Sequence, residues 1–253
     1  MPRANKMLWP LARRLLMGLA ILTVTGMTAA AQVIVISSSA PQLHAGRTLT
    51  GNTTLEIPAG ANVVLILPSG VTRTIPGPYS GRVSELTRGS RSNAPLFDVV
   101  KNFIKTGGTT TSNVGAMRSI APKRTIVSKP APFSWTGISL TSNGSICVEK
   151  GVALTLTRTQ PGRAQTVTVV NMNTARRAKV EFGAQDLTAP WPAAVQPENG
   201  SFALLSTGTP MRQIRLRLIA TLPPTDAILQ VLHKNDCKQQ LQACLREMVA
   251  GGN

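Results

Sequence analysis

Short apolar runs, punctuated by glycine and proline, follow one another along most of the chain after residue 31. Between residues 32 and 81 they read VIVIS, TTLEI, ANVVLIL and VTRTI. Between residues 133 and 220 seven further runs include SICV, QTVTVVN and IRLRLIA, and the last alternates apolar residues with arginine. Runs of this length between turn residues are typical of antiparallel strands. The pattern predicts a mainly β fold with two β regions, a small barrel or sandwich and then a larger sandwich.

Helical spacing of apolar residues appears in two places. The segment APLFDVVKNFIK predicts an amphipathic helix at about residues 94–106, with Asn93 placed to cap its start and Gly107 to end it. We expect this helix to cover the open end of the first β region, and binding of a partner is the alternative. Residues 223–253 predict a helical tail of two short helices docked on the sandwich. Prolines mark residues 121–132 as a linker.

The first 31 residues combine basic positions with a short apolar run. Arg3, Lys6, Arg13 and Arg14 are followed by apolar residues 15–30, and three alanines precede Gln32. This order is typical of a signal peptide, which we expect to be cleaved between Ala31 and Gln32. The alternative is a retained anchor, because the run reaches the ~20 residues of a spanning helix if it continues through Ile36. The expected location is the periplasm, or the inner membrane facing the periplasm if the anchor is retained.

Each of the two predicted β regions resembles a known type of β domain. LHAGRTL, followed by LEIPAGANVVLILPSGVTRTIPGP, resembles the FecR-type periplasmic domain with its G-x-x-L … G-A-x-V-x-L … G pattern. That resemblance implies a compact β-roll at about residues 33–81, within a domain spanning 32–120. PAPFSWTGISL resembles the first strand of bacterial immunoglobulin-like or fibronectin-type domains, which implies a sandwich over 133–222 with Trp135 in its core. This second resemblance concerns the fold and implies no activity.

The net charge of the chain indicates which classes of partner to expect. Four of the 27 basic residues and none of the 10 acidic ones lie in the first 31 positions, so the remainder carries a net charge of +13. The basic residues are scattered along predicted strands, and aromatic residues that could stack on bases make up only 4% of the chain. We therefore expect no nucleic acid, and an envelope protein or an anionic envelope polymer as the partner.

Three cysteines, Cys147, Cys237 and Cys244, are available for one disulfide in an oxidising compartment. Cys237 and Cys244 would lie roughly 10.5 Å apart along one helix, beyond the reach of about 7 Å between the Cα atoms of a disulfide. We therefore predict a Cys147–Cys237 bond that fastens the helical tail to the sandwich. A Cys147–Cys244 bond is the alternative.

No motif indicates a reaction. His44 lies in a predicted turn and His233 near a predicted helix end, no G-x-S-x-G elbow occurs, and the carboxylates are dispersed. No catalytic, cofactor-binding or metal-binding residue is predicted. The favoured hypothesis is an exported, non-enzymatic envelope protein that binds a partner or has a structural role. The alternatives are a membrane-anchored FecR-type sensor or regulator and, third, an envelope hydrolase that would use His44 or His233.

Overall fold

The computed structural model describes residues 32–108, 130–206 and 210–251. All of them belong to one compact unit that begins at residue 31. The predicted signal peptide, with Ala31 of the cleavage site, and residues 121–129 of the predicted linker lie outside the described residues. The described part is mainly β with short helices near its C-terminus, as the apolar pattern predicts.

The first β region consists of two small sheets. Its strands are β1 (Gln32–Ser38), β2 (Thr48–Thr50), β3 (Thr54–Ile57), β4 (Asn62–Ile66), β5 (Thr72–Pro76) and β6 (Tyr79–Arg82), and a one-turn helix α1 (Val83–Leu86) follows. A four-stranded antiparallel sheet has the order β2-β1-β4-β5, and β3 pairs with β6. The sheets are open rather than closed into a barrel. Their facing sides enclose a core that includes Val33, Val35, Leu55 and Leu65.

The second β region is a two-layered sandwich. Its strands are β7 (Gly137–Ser139), β8 (Gly144–Glu149), β9 (Thr155–Thr157), β10 (Gln165–Asn171), β11 (Arg177–Phe182), β12 (Thr188–Pro190), β13 (Gly200–Ser206) and β14 (Arg212–Ile219). A five-stranded sheet, β11-β10-β13-β14-β8, packs against a three-stranded sheet, β12-β9-β7. Each of the seven predicted apolar runs contains a strand. The additional strand, β12, has the sequence TAP, which carries no strand pattern.

Three longer helices cover the outer side of the four-stranded sheet. They are α2 (Ala94–Lys105), α3 (Ile228–Lys234) and α4 (Lys238–Ala250), and a 3-10 turn (Thr225–Ala227) precedes α3. The predicted cap of α2 is present, because the Asn93 side chain accepts a hydrogen bond of 3.4 Å from the Leu96 backbone N–H. Helices α2 and α3 contact each other, and α4 contacts both β1 and β8.

The helices differ from the sequence prediction in what they cover. Ile34 and Ile36 of β1 point away from the first core and pack with Leu96, Leu229 and residues of α4. Helix α2 therefore covers the outer face of a sheet rather than an open end. The tail helices pack on this same sheet as well as on the edge of the sandwich. We call this apolar group of α2, α3, α4 and the sheet face the helical layer.

The two tryptophans among the described residues, Trp135 and Trp191, differ in position. Trp191 is only 8% exposed, lies in the sandwich core and packs edge-to-face on Phe202, with 5.5 Å between ring centroids. Trp135 is half-buried and packs against the helical layer, with Phe133 as its aromatic neighbour. The expectation that Trp135 lies in the sandwich core is therefore wrong, because the chain before β7 runs beside α4.

Candidate functional site

The disulfide joins the sandwich to the helical layer. Cys147 on β8 is bonded to Cys237 at the start of α4, with 5.9 Å between the Cα atoms. This confirms the predicted pairing. Cys244 is a buried free thiol on α4, and burial raises its pKa to about 12, with a smaller contribution from the negative charge of Glu247.

A glutamine side chain occupies the outer edge of β8. Gln240 is buried, accepts a hydrogen bond of 2.6 Å from the Cys147 backbone N–H, and donates bonds of 2.7 Å to the carbonyls of Cys147 and Ser134. The neighbouring Gln239 accepts a bond of 3.1 Å from the Asn143 N–H. An unpaired strand edge is a template for another strand. Helix α4 closes this one with side-chain amides.

A groove of about 560 Å³ lies between α4 and the three-stranded sheet. Ser139 of β7 pairs with Thr157 of β9 in a parallel register, so their side chains share the outer face of the sheet. Residues of α4 and the segment before β7 form the walls. The polar side chains that line the groove are those of Ser134, Ser139, Thr141, Ser142, Thr155, Thr157, Thr159, Thr188, Gln239, Gln240, Gln242, Arg158 and Arg246. None of the lining residues is acidic.

The two arginines of the groove are held differently. The Arg158 guanidinium donates hydrogen bonds to the carbonyls of Gly183, Ala184 and Asp186 and lies over the Phe182 ring, 5.5 Å from its centroid. Arg246, on α4, makes no ion pair within the described residues. Burial lowers the pKa of Arg246, and the nearby Glu247 charge offsets part of that effect. Both side chains bring positive charge to the groove.

A second polar surface is the outer face of the five-stranded sheet. Val180 of β11 and Ile214 of β14 point into the sandwich core, so Arg177, Lys179 and Arg215 point to solvent. The two strands are three strand spacings apart, about 14 Å at ~4.8 Å for each spacing. Across the described residues, one ion pair is present, between Lys238 and Asp236 at 3.1 Å. Glu181 of β11 is exposed on the same face, two residues from Lys179, but within the described residues it forms no ion pair with these three cations, which we call the basic face.

The histidines considered as catalytic candidates lie in separate parts of the fold. His44 is exposed in the turn between β1 and β2, and His233 is half-buried near the end of α3. The described residues contain no group of three or more histidine, cysteine, aspartate or glutamate side chains placed to hold a metal ion.

The groove between α4 and the three-stranded sheet was not predicted from the sequence. The run QQLQ at the start of α4 was the available signal, because it places amides on a helix that otherwise packs apolar side chains.

Comparisons with family models, curated proteins and solved structures give no match to this chain. Within residues 32–108, 130–206 and 210–251, none of the helices has the length and apolar character needed to cross a membrane. Function is therefore inferred from the groove, the basic face and the disulfide.

Proposed function

We propose that this chain is an exported, non-enzymatic binding protein of the cell envelope, and that its basic face holds an anionic polymer or an acidic protein. The observation that carries the proposal is the basic face, where Arg177, Lys179 and Arg215 are exposed and form no ion pair among the described residues. They outnumber Glu181, the acidic residue on the outer side of β11. Positive charge that is not neutralised internally attracts polyanions and acidic surfaces.

The disulfide supports the export part of the proposal. Disulfides persist in oxidising compartments such as the periplasm and are rare in the cytosol. The Cys147–Cys237 bond is enclosed in the helical layer, because both cysteines are 0% exposed. A bond in that position is a structural element of the fold. The FecR-type and immunoglobulin-like resemblances remain predictions and are not needed for the proposal.

The test compares two triple variants with the same change in net charge. In the first, Arg177, Lys179 and Arg215 of the basic face are replaced by glutamine. In the control, three exposed cations of the first β region and α2 are replaced by glutamine: Arg73, Lys101 and Lys105. Retention on an anionic envelope fraction is measured at low salt and at about 0.5 M salt, where the Debye length is about 4 Å.

We expect the wild type and the control to be retained at low salt and released at high salt, and the basic-face variant to lose most of its retention. Equal behaviour of the two triple variants would mean that only net charge matters. Retention of the wild type that is unchanged by salt would contradict the proposal.

The mass of the protein recovered from an envelope extract tests the location. A mass that starts at Gln32 supports a cleaved periplasmic protein. A full-length mass supports the alternative, a chain anchored in the inner membrane by its N-terminal segment, and would turn the search for a partner to membrane regulatory complexes.

A further inference from the structure

We propose that the groove between α4 and the three-stranded sheet binds a short stretch of acidic saccharide. This site is separate from the basic face and shares with the proposed function only the negative charge of the ligand. The groove volume of about 560 Å³ lies within the range of small-molecule sites, about 300–1,000 Å³.

The lining of the groove matches a polyhydroxylated ligand. Eight of the lining side chains are serine or threonine and three are glutamine, of which Gln240 is already used by its hydrogen bonds to Cys147 and Ser134. A hydroxyl both donates and accepts hydrogen bonds, and a side-chain amide does the same through separate atoms. Sugar hydroxyls need this mixture of donors and acceptors. Thr155 and Thr157 present it from a sheet, where neighbouring strands limit the movement of the side chains.

The charges of the groove indicate that the saccharide is acidic. Arg158 and Arg246 contribute two cations, and the lining contains no carboxylate. Burial lowers the pKa of Arg246, so part of its hydration is already lost before any ligand binds. An anion that pairs with a partly desolvated guanidinium gains a charge-assisted hydrogen bond in surroundings of reduced dielectric constant.

The strand edge beside the groove is poorly suited to an extended peptide. Backbone polar groups of residues 136, 138 and 140 point toward β9 and take part in its hydrogen-bond ladder. The backbone N–H and C=O groups of Gly137 and Ser139 therefore point away from β9, toward the groove. The Gly137 N–H donates to the Ser134 hydroxyl at 2.8 Å, and the Ser139 carbonyl accepts from the Ser142 N–H at 2.9 Å. Addition of a strand needs a run of free backbone groups. Local hydrogen bonds already use part of this run.

The experiment titrates the purified chain with trigalacturonate in a calorimeter. Fully methyl-esterified trigalacturonate is the matched ligand control, because it keeps the hydroxyls and lacks the charge. The test variants are Arg246→Gln, Arg246→Lys and Thr157→Val. The protein control is Lys238→Gln, which makes the same change in charge on the same helix at a residue outside the groove.

We expect saturable binding of trigalacturonate and at least tenfold weaker binding of the esterified ligand. Arg246→Gln should weaken binding about tenfold or more and Thr157→Val about threefold, while Arg246→Lys and Lys238→Gln should stay within about threefold of the wild type. Because the ligand is soluble and the basic face is unchanged in these variants, the result is independent of retention on an envelope fraction.

Three results would overturn the proposal. They are no saturable binding by the wild type at millimolar ligand, equal binding of the charged and esterified ligands, and equal losses in Arg246→Gln and Lys238→Gln. A circular dichroism spectrum and a melting temperature for each variant separate loss of binding from loss of folding.

Discussion

The two largest sheets of this protein bury their faces differently. In the four-stranded sheet, residues Val33, Ile34, Val35 and Ile36 of β1 are each at most 1% exposed. In the five-stranded sheet, β14 alternates, so that Ile214 and Leu216 are buried and Arg215 is exposed. The first sheet lies between a β core and the helical layer, and the second has one face on a core and a basic face on the other side.

The difference shows what the two apolar patterns mean. A continuous apolar strand is expected where both faces of a sheet are covered, and an alternating strand where one face meets solvent. The helical layer supplies the second cover for β1, and it gathers α2 from the middle of the chain with α3 and α4 from its end. Residues far apart in sequence are thus needed to bury one strand, whereas the side chains of the basic face stay exposed to solvent.

Removing the disulfide would remove the covalent link between the sandwich and the helical layer and should have the largest effect. The bond closes a loop with a sequence separation of 90 residues. In the chain-entropy treatment, such a bond stabilises a protein by on the order of 4 kcal/mol. The double variant Cys147→Ala/Cys237→Ala should lose about that much free energy of unfolding in urea.

Cys244→Ala is the matched control, because it removes a cysteine from the same helical layer and leaves the bond intact. An equal or greater loss in this control would show that packing, and not the cross-link, holds the tail helices. A loss below about 1 kcal/mol in the double variant would lead to the same conclusion.

A pair of single substitutions compares the two sheets directly. Ile36→Ala removes a fully buried side chain between β1 and the helices, and such truncations cost about 2–5 kcal/mol. Leu205→Ala acts on the outer side of the five-stranded sheet, where the side chain is 39% exposed, and should cost less than about 1 kcal/mol. Urea unfolding of both variants measures the difference. Similar losses would mean that an unrecognised contact covers the outer side of the second sheet.

The sequence predicts the strands well because their signal is local. Apolar runs between turn residues mark each of the seven strands anticipated in the sandwich, and the Asn93 cap marks the start of α2. Helix geometry alone disfavours the Cys237–Cys244 pair, so that part of the disulfide prediction was also local. It left Cys147–Cys244 open, and the folded chain decides for Cys237. Strand β12 was missed because its three residues are held by pairing with β9 and carry no pattern of their own.

The candidate site was missed because its parts meet only in the folded chain. The groove joins hydroxyl groups of three strands, amides of α4 and Arg158, and none of these forms a motif in sequence. Gln240 shows most clearly why a sequence pattern does not reveal such contacts. It lies 93 residues from Cys147, the strand residue whose backbone N–H and carbonyl it binds. A glutamine near a helix start gives no sign of such a partner.

A smaller effect than the loss of the disulfide or of Ile36 is a pH dependence that belongs to the helical layer alone. Burial raises the pKa of the Cys244 thiol to about 12, well above the value near 9 of an exposed thiol. Above pH 9 the unfolded chain loses this proton first, so the stability present below pH 9 decreases as the pH rises toward 12. Between pH 8 and pH 10 this amounts to about 1.4 kcal/mol, one pKa unit's worth.

Urea unfolding of the wild type and Cys244→Ala at pH 8 and pH 10 measures this effect. The wild type should lose about 1.4 kcal/mol more than the variant between the two pH values, since other titrating groups are common to both. Non-reducing peptide mapping after each measurement verifies that Cys147 is still bonded to Cys237. Identical pH dependence in the two proteins would mean that the thiol ionises as readily in the folded chain as in the unfolded one. The helical layer would then admit water, and the four-stranded sheet would be covered less completely than the burial of β1 indicates.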